Sequence, residues 1–229
     1  MEMKIMKTTL IYSLLFILCS CGSSSSHQQV AANLERNGEY ELIASRHLIN
    51  DIQAQNNDGT VNVLVEIPTG TNQKWEVDHF SGHLKWEFEN GVPRVVKYLG
   101  YPGNYGFIPQ TSLPKDLGGD GDPLDILVLG QAVSRGTILK TKIIGVLRML
   151  DRAEQDDKLI AVRKGTPFFE INDLKQLNKE FPGITKIIKT WFQNYKGKNK
   201  IKILGTRGKK SAARILKQAM IQFKPYTPH

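Results

Sequence analysis

The chain has 229 residues, of which 40% are hydrophobic and 23% charged, and it shows neither an internal repeat nor a long linker, so one globular domain with one good core is expected. Its formal charge of +9 is uneven: residues 31–160 hold 13 Lys+Arg against 18 Asp+Glu, and residues 161–229 hold 16 against 3. Such an imbalance suits a site that gathers cations around an anion, and equally a nucleic-acid binder with a basic tail, so charge alone does not choose. Both cysteines, Cys19 and Cys21, lie near the amino end, which excludes disulfides, thiol nucleophiles and Cys-ligated zinc from the remainder.

At the amino end Lys4 and Lys7 precede the apolar run Leu10–Leu18, too short to span a bilayer comfortably. Residues 1–20 therefore read as an export signal peptide. Leu18-Cys19-Ser20-Cys21 resembles the lipobox of bacterial lipoproteins, which implies cleavage before Cys21 and lipidation of that residue. Gly22-Ser23-Ser24-Ser25-Ser26 has the composition of a flexible tether, assigned to residues 21–34, and the domain itself to 35–229. An uncleaved apolar anchor and a wrongly assigned start site are the alternatives.

From Val61 the pattern becomes β. Val61, Val63, Val65 and Ile67 alternate with Asn62, Leu64 and Glu66 and stop at Pro68. Lys74-Trp75-Glu76-Val77 predicts a second short strand with Lys74 and Glu76 on one face, and His83–Phe88 a third, closed by the turn Asn90-Gly91. Arg94 follows, then Tyr101-Pro102-Gly103-Asn104-Tyr105-Gly106-Phe107-Ile108-Pro109, with too many Gly and Pro for a helix. Further strands are expected over Thr137–Leu150 and Leu159–Val162, separated by an acidic turn, Asp151–Lys158, that by itself reads as a solvated hairpin tip. The tail is expected to be helical. Ile184, Ile187, Ile188, Trp191, Phe192 and Tyr195 form one apolar stripe ending at Gly197 as C′, and Ser211 caps a second helix bearing Ala212, Ile215, Leu216, Ala219, Met220 and Phe223. Tyr195 is by default core and Lys196 solvated.

The run Asp120-Gly121-Asp122-Pro123-Leu124-Asp125 crowds three carboxylates into one corner. At an effective dielectric of about 20, charges roughly 5 Å apart repel by on the order of 3 kcal/mol per pair, so something cationic must sit among them or the run is a solvated turn. Oxygen-only ligands suit Mg²⁺ or Mn²⁺. A calcium EF-hand fails on spacing, with Leu124, Asp125 and Gln131 where that loop needs Asp or Asn, Gly and Glu. Two acidic turns, Glu on strands and interspersed Lys, Arg and Tyr suggest a several-metal site acting on a multiply charged phosphate. No glycine-rich Walker loop is present in the sequence.

Asp120-Gly121-Asp122-Pro123-Leu124-Asp125-Ile126 resembles the signature of family I soluble inorganic pyrophosphatases. The resemblance extends to Val65-Glu66-Ile67-Pro68, Lys74-Trp75-Glu76, Arg94, Asn104-Tyr105-Gly106, Asp151 with Asp156 and Lys158, Phe181-Pro182-Gly183, Trp191-Phe192 and Tyr195-Lys196, over roughly residues 35 to 223. It implies an α+β, mainly β fold: an OB-like five-stranded closed barrel flanked by two C-terminal amphipathic helices. It implies Mg-dependent hydrolysis of pyrophosphate to two phosphates by a metal-activated water, with Mn²⁺ as a substitute ion. Asp120, Asp125 and Asp156 would ligate the ions, with Asp125 bridging two, and Asp151 would share a further ion with Asp156. Glu66 and Glu76 would support the outer metal shell, and Asp122 would accept the water's proton. Lys74, Arg94, Tyr195 and Lys196 would hold the phosphates, with Tyr105 and Lys158 close by. Relatives of this kind are homo-oligomers, commonly hexameric or dimeric, and mostly cytoplasmic. The leader departs from that norm and places this chain, lipid-anchored through Cys21, toward the periplasm or the exterior; without a working leader it is cytoplasmic. Arg152 departs too, standing where an acidic residue is usual, and Arg94 is offset by about one residue. Rival readings are an OB-like nucleic-acid-binding module using the basic tail, which requires aromatic side chains exposed on the sheet, and a phosphatase of wider range. The metal-site reading expects pyrophosphate and no nucleic acid as partner.

Overall fold

The strand Val61–Ile67 buries all seven of its residues, Glu66 included, because it lies between apolar clusters. Val61, Val63 and Val65 pack with Ile126, Val128, Leu159 and Ala161, while Leu64 packs on the other side with Leu48, Trp75 and Leu84. Alternate side chains of a strand point to opposite faces, so a strand covered on both needs apolar residues at both parities.

The computed structural model describes residues 30–31 and 33–227. The expected signal peptide and Cys21 lie outside them, whereas the last part of the expected tether contains strand residues. In chain order the strands are β1 (Val30–Ala31), β2 (Leu34–Asn37), β3 (Glu41–Ala44), β4 (Val61–Ile67), β5 (Trp75–Val77), β6 (Leu84–Trp86), β7 (Phe88–Glu89) and β8 (Val92–Pro93). They continue as β9 (Asn104–Phe107), β10 (Asp125–Leu129), β11 (Thr137–Asp151), β12 (Glu154–Gln155), β13 (Lys158–Arg163) and β14 (Ile201–Gly208). The α-helices are α1 (Leu174–Glu180), α2 (Ile184–Asn194) and α3 (Lys209–Gln222). Among the described residues, no helix is long and apolar enough to cross a membrane.

Five strands pair in a cycle: β11 with β13, β13 with β10, β10 with β9, β9 with β4, and β4 again with β11. Only the β10–β13 pairing among these is parallel. A smaller antiparallel sheet, β2-β3-β6-β5, covers the Leu64 side. Helix α3 joins the Val61 cluster through Ala212 and Leu216, and α1 and α2 pack through Leu174, Leu177, Ile188, Trp191 and Phe192 against Ile67, Leu127 and Ile160.

Among the described residues the fold is mostly β with three α-helices rather than two, and the tail is not wholly helical. Helix α1 begins at Asp173, whose carboxylate accepts the Gln176 N–H, a capping signal present in the sequence. Strand β14 lies between α2 and α3 and pairs along β11, where Gly205 and Gly208 mask the alternation. Helix α3 starts at Lys209 with Gly208 as its N-cap, so Ser211 sits inside the first turn instead of capping. Helix α2 ends at Asn194 with Tyr195 at the cap, and Gly197 lies two residues past the cap at φ 95°. Ile187 is 60% exposed, so the buried stripe is narrower than its spacing predicts. The expected third strand divides after Trp86, and Phe88–Glu89 instead forms a hairpin with β8 around Asn90-Gly91, both at positive φ. Lys74 immediately precedes β5 rather than lying in it.

Candidate active site

The loop before β10 is shaped by short-range hydrogen bonds. Asp120 Oδ1 accepts the Asp122 N–H at 3.0 Å, and Gly121 turns between them at φ 96°, a region that favours glycine. The Gly121 N–H donates to the Leu113 carbonyl at 3.0 Å, Ser112 Oγ donates to the Gly121 carbonyl at 2.7 Å, and Thr111 Oγ1 accepts the Leu124 N–H at 3.0 Å. Asp120 and Asp122 thereby stay exposed while Asp125 enters β10 half-buried.

The second acidic turn is brought to the same end of the ring by parallel pairing. Ile126 lies opposite Leu159, so Asp125 and Lys158, each one residue earlier, are neighbours. The buried Lys158 ammonium pairs with both the Asp125 and the Asp156 carboxylates. Burial works against the charge of Lys158, but the two carboxylates outweigh it and raise its pKa well above the ordinary lysine value. Across the turn Asp151 pairs in register with Glu154, with Arg152 and Ala153 between them at φ 49° and 73°. Asp157 accepts the Met149 N–H at 3.1 Å and pairs with Arg148, holding the turn to β11.

Glu66 reaches the cleft through a break in register. Val65 lies opposite Gly106 and Ile67 opposite Tyr105, leaving Glu66 as an extra residue in β4. Any side chain at 106 would place a Cβ 1.8 Å from the Leu64 carbonyl oxygen, so glycine permits this close crossing. Glu66 Oε1 accepts the Val77 N–H at 2.8 Å. Burial, with the Glu76 and Asp125 charges adding to it and Lys74 opposing, pushes the Glu66 carboxyl up to about 8.

Lys74 pairs with Glu76, as their shared face predicts. Arg94 Nη1 donates to Glu87 at 2.6 Å while still lining the cleft. Lys196 Nζ donates to Asp151 Oδ2 at 2.5 Å, so it is paired rather than merely solvated. The Lys74 and Lys158 ammonium groups lie 5.8 and 5.9 Å from the Tyr105 ring centroid. Tyr195 stacks on Trp191 with ring centroids 4.7 Å apart. Trp191 and Phe192 are buried, so these aromatics do not form the exposed platform that a nucleic-acid module requires.

All thirteen expected site residues within the described part line one cavity of about 520 Å³: Glu66, Lys74, Glu76, Arg94, Tyr105, Asp120, Asp122, Asp125, Asp151, Asp156, Lys158, Tyr195 and Lys196. Tyr101, His79 and Gln155 also line it and were not singled out from sequence. Tyr101 lies against Tyr105 and Trp191 at 4.9 and 4.3 Å between centroids, and burial pushes its hydroxyl up to about 12. Its place four residues before Tyr105 was the available hint. His79 lies 3.8 Å from Asp122, a contact made by two distant loops. Arg152 is exposed at the rim.

Among the described residues, no three acidic or imidazole side chains are grouped to hold a metal ion, and Glu76, Asp125, Asp156 and Asp151 instead pair with Lys74, Lys158 and Lys196. The donor chemistry nevertheless fits a hard divalent cation. The acidic groups offer oxygen only, and Asp151 Oδ1 is buried with no hydrogen-bond partner. Although its side chain is 59% exposed, Asp122 is held above the usual carboxylate range by the partial desolvation of the cleft and then by the Asp120 charge, and Asp125 by burial and by Asp156, with Lys158 opposing.

A family model described as inorganic pyrophosphatase matches residues 63–224. The inorganic pyrophosphatase of Rickettsia prowazekii is 34% identical over 182 residues, covering 75% of this chain and 97% of the relative. Inorganic pyrophosphatase 1 of Caenorhabditis elegans is 37% identical over 151 residues, which is 59% of this chain and only 35% of that protein. The solved inorganic pyrophosphatase of Helicobacter pylori superposes with a TM-score of 0.63 at 33% identity, covering 75% of this chain and 98% of the other.

Proposed function

We infer the chemistry of the cleft from one premise: the chain belongs to the inorganic pyrophosphatase family, and is a hydrolase of the diphosphate bond. The observation that carries the finer reading is the convergence of thirteen acidic, basic and phenolic residues, from 66 to 196, on one cavity. We propose that the substrate is inorganic pyrophosphate, cleaved to two phosphates with Mg²⁺ required and Mn²⁺ an alternative.

Asp120, Asp125 and Asp156 would hold the ions, with Asp151 taking part through its unpartnered oxygen and Glu66 and Glu76 behind them. Bound divalent ions would lower the pKa of water and neutralise phosphate oxygens. Asp122 accepts the proton of the attacking water; its raised pKa brings it nearer the range in which a carboxylate is an effective base. Lys74, Arg94, Tyr195 and Lys196 hold the two phosphates, with Tyr105 and Lys158 alongside. Their fixed donors stabilise charge as it builds on the leaving group. The cyclic strand pairing is taken as the OB-like five-stranded barrel.

The test is phosphate release from pyrophosphate by the fragment beginning after Cys21, with and without Mg²⁺. Two phosphates per pyrophosphate are expected only with Mg²⁺, and Asp122→Asn should lower turnover by roughly 10²-fold or more with the fold retained. Metal-independent release, or an unaffected Asp122→Asn, refutes the reading. A panel of polyphosphate and nucleotides separates a phosphatase of wider range.

Export and lipid anchoring through Cys21 are proposed on the leader alone. Mass spectrometry of the mature amino terminus should find a lipidated Cys21, and Cys21→Ser should release the protein from membranes. A homo-oligomer is proposed as well, to be measured by light scattering.

A further inference from the structure

The last described residues fold back onto the mouth of the cleft. Tyr226 exchanges two hydrogen bonds with the Asn50 side chain: Asn50 Nδ2 donates to the Tyr226 carbonyl at 2.8 Å, and the Tyr226 N–H donates to Asn50 Oδ1 at 3.1 Å. So anchored, the phenol lies across two loops that meet nowhere in sequence. Its ring is 4.7 Å from the His79 ring, and its hydroxyl donates at 3.4 Å to the Gly121 carbonyl, between Asp120 and Asp122.

His79 is fixed from its other side as well. His47 Nδ1 accepts the Ile49 and Asn50 N–H groups, which leaves the proton on Nε2, and Nε2 donates to the His79 carbonyl at 3.0 Å. A Cβ at Gly82 would lie 2.6 Å from the His47 ring, so the loop after β5 approaches as closely as glycine allows. The imidazole of His79 is thereby presented to Asp122, with 3.8 Å between Nδ1 and Oδ1. Asn50 and Tyr226 fall outside residues 63–224, the segment matched by the family model, whereas His79 and Gly121 lie within it.

We propose that Tyr226, tied to Asn50 and acting through its ring contact with His79, is a positioning residue that holds Asp122 in its working orientation. The inference rests on Asp122 being the proton acceptor. It assigns the clasp to turnover rather than to substrate affinity, because the side chains proposed to hold phosphate, Lys74, Arg94, Tyr195 and Lys196, make none of these contacts. A small displacement of a reacting group costs rate steeply, whereas phosphate contacts elsewhere survive it.

The experiment measures kcat and KM for pyrophosphate in Mg²⁺, with melting temperature alongside, for the wild type and for Tyr226→Ala, Tyr226→Phe, Asn50→Ala, His79→Ala and the Tyr226→Ala/His79→Ala pair. Tyr226→Ala and Asn50→Ala should each lower kcat roughly tenfold with KM within about twofold of wild type. Tyr226→Phe keeps the ring contact and both bonds to Asn50 and should retain wild-type kcat. The pair should lose little more than His79→Ala alone, since both substitutions break one chain of contacts. If Tyr226→Ala does not fold, Asn50→Ala, which touches no wall of the cleft, carries the same expectation. Unchanged kcat, an equal rise in KM, or additive losses in the pair overturns the clasp while the enzyme reading stands. Wild-type protein that releases no phosphate defeats both.

Discussion

The Lys196 ammonium lies 2.5 Å from Oδ2 of Asp151, while Oδ1 of the same carboxylate is buried without a hydrogen-bond partner. One oxygen is neutralised and the other is left available to a cation. Asp151→Asn should raise the Mg²⁺ concentration for half-maximal phosphate release by roughly tenfold, the scale on which loss of one supporting ligand acts. A Mg²⁺ titration with an unshifted midpoint would remove Asp151 from the ion-holding set.

Lys158 serves as an internal counter-charge for Asp125 and Asp156. Removing one partner of a buried ionic cluster costs on the order of 3–5 kcal/mol, because the remaining charges are left unpaired. Lys158→Met should therefore lower the melting temperature in EDTA and enlarge the stabilisation produced by Mg²⁺, measured by calorimetry. Equal Mg²⁺-induced shifts in variant and wild type would contradict the counter-charge role.

Glu66 makes metal-free stability depend on pH. Its folded pKa of about 8 lies above the ordinary 4.5, so the unfolded chain gives up this proton first as pH rises. Stability from this group is complete below about pH 4.5 and is lost as pH climbs through about 8, on the order of 5 kcal/mol across that window. Denaturant titrations in EDTA should show this decline in the wild type and a flatter profile in Glu66→Gln. Matching profiles would mean that Glu66 ionises normally.

Ala153 sits at φ 73° in the turn that carries Asp151 and Asp156. A left-handed conformation costs a residue with a Cβ about 1 kcal/mol, and glycine avoids that cost. Ala153→Gly should raise the melting temperature by roughly 2–4 °C, the response expected for a chain of this size. A lower melting temperature would show that the loss of chain entropy on folding outweighs the strain.

Much of the site was legible in the sequence because its chemistry is local. Asp120, Asp122 and Asp125 occupy one turn, Asp151 and Asp156 another, and Lys74 and Glu76 one face. Helix α1 carries its own signal in Asp173 and Gln176, but its seven residues span only about two turns and give a short apolar period. Strand β14 was obscured because Gly205 and Gly208 interrupt its alternation, and its pairing with β11 overrides that weak local preference.

The sequence by itself determined which residue types could bind a divalent ion and a phosphate anhydride, since charge, donor type and turn propensity are properties of short segments. Only the tertiary structure decided which of them meet. The parallel β10–β13 pairing sets Lys158 beside Asp125, the extra residue opposite Gly106 brings Glu66 to the cleft, and the returning C-terminus lays Tyr226 over His79. These contacts span tens of residues or more and follow from register and backbone approach, which no short stretch of side chains encodes alone.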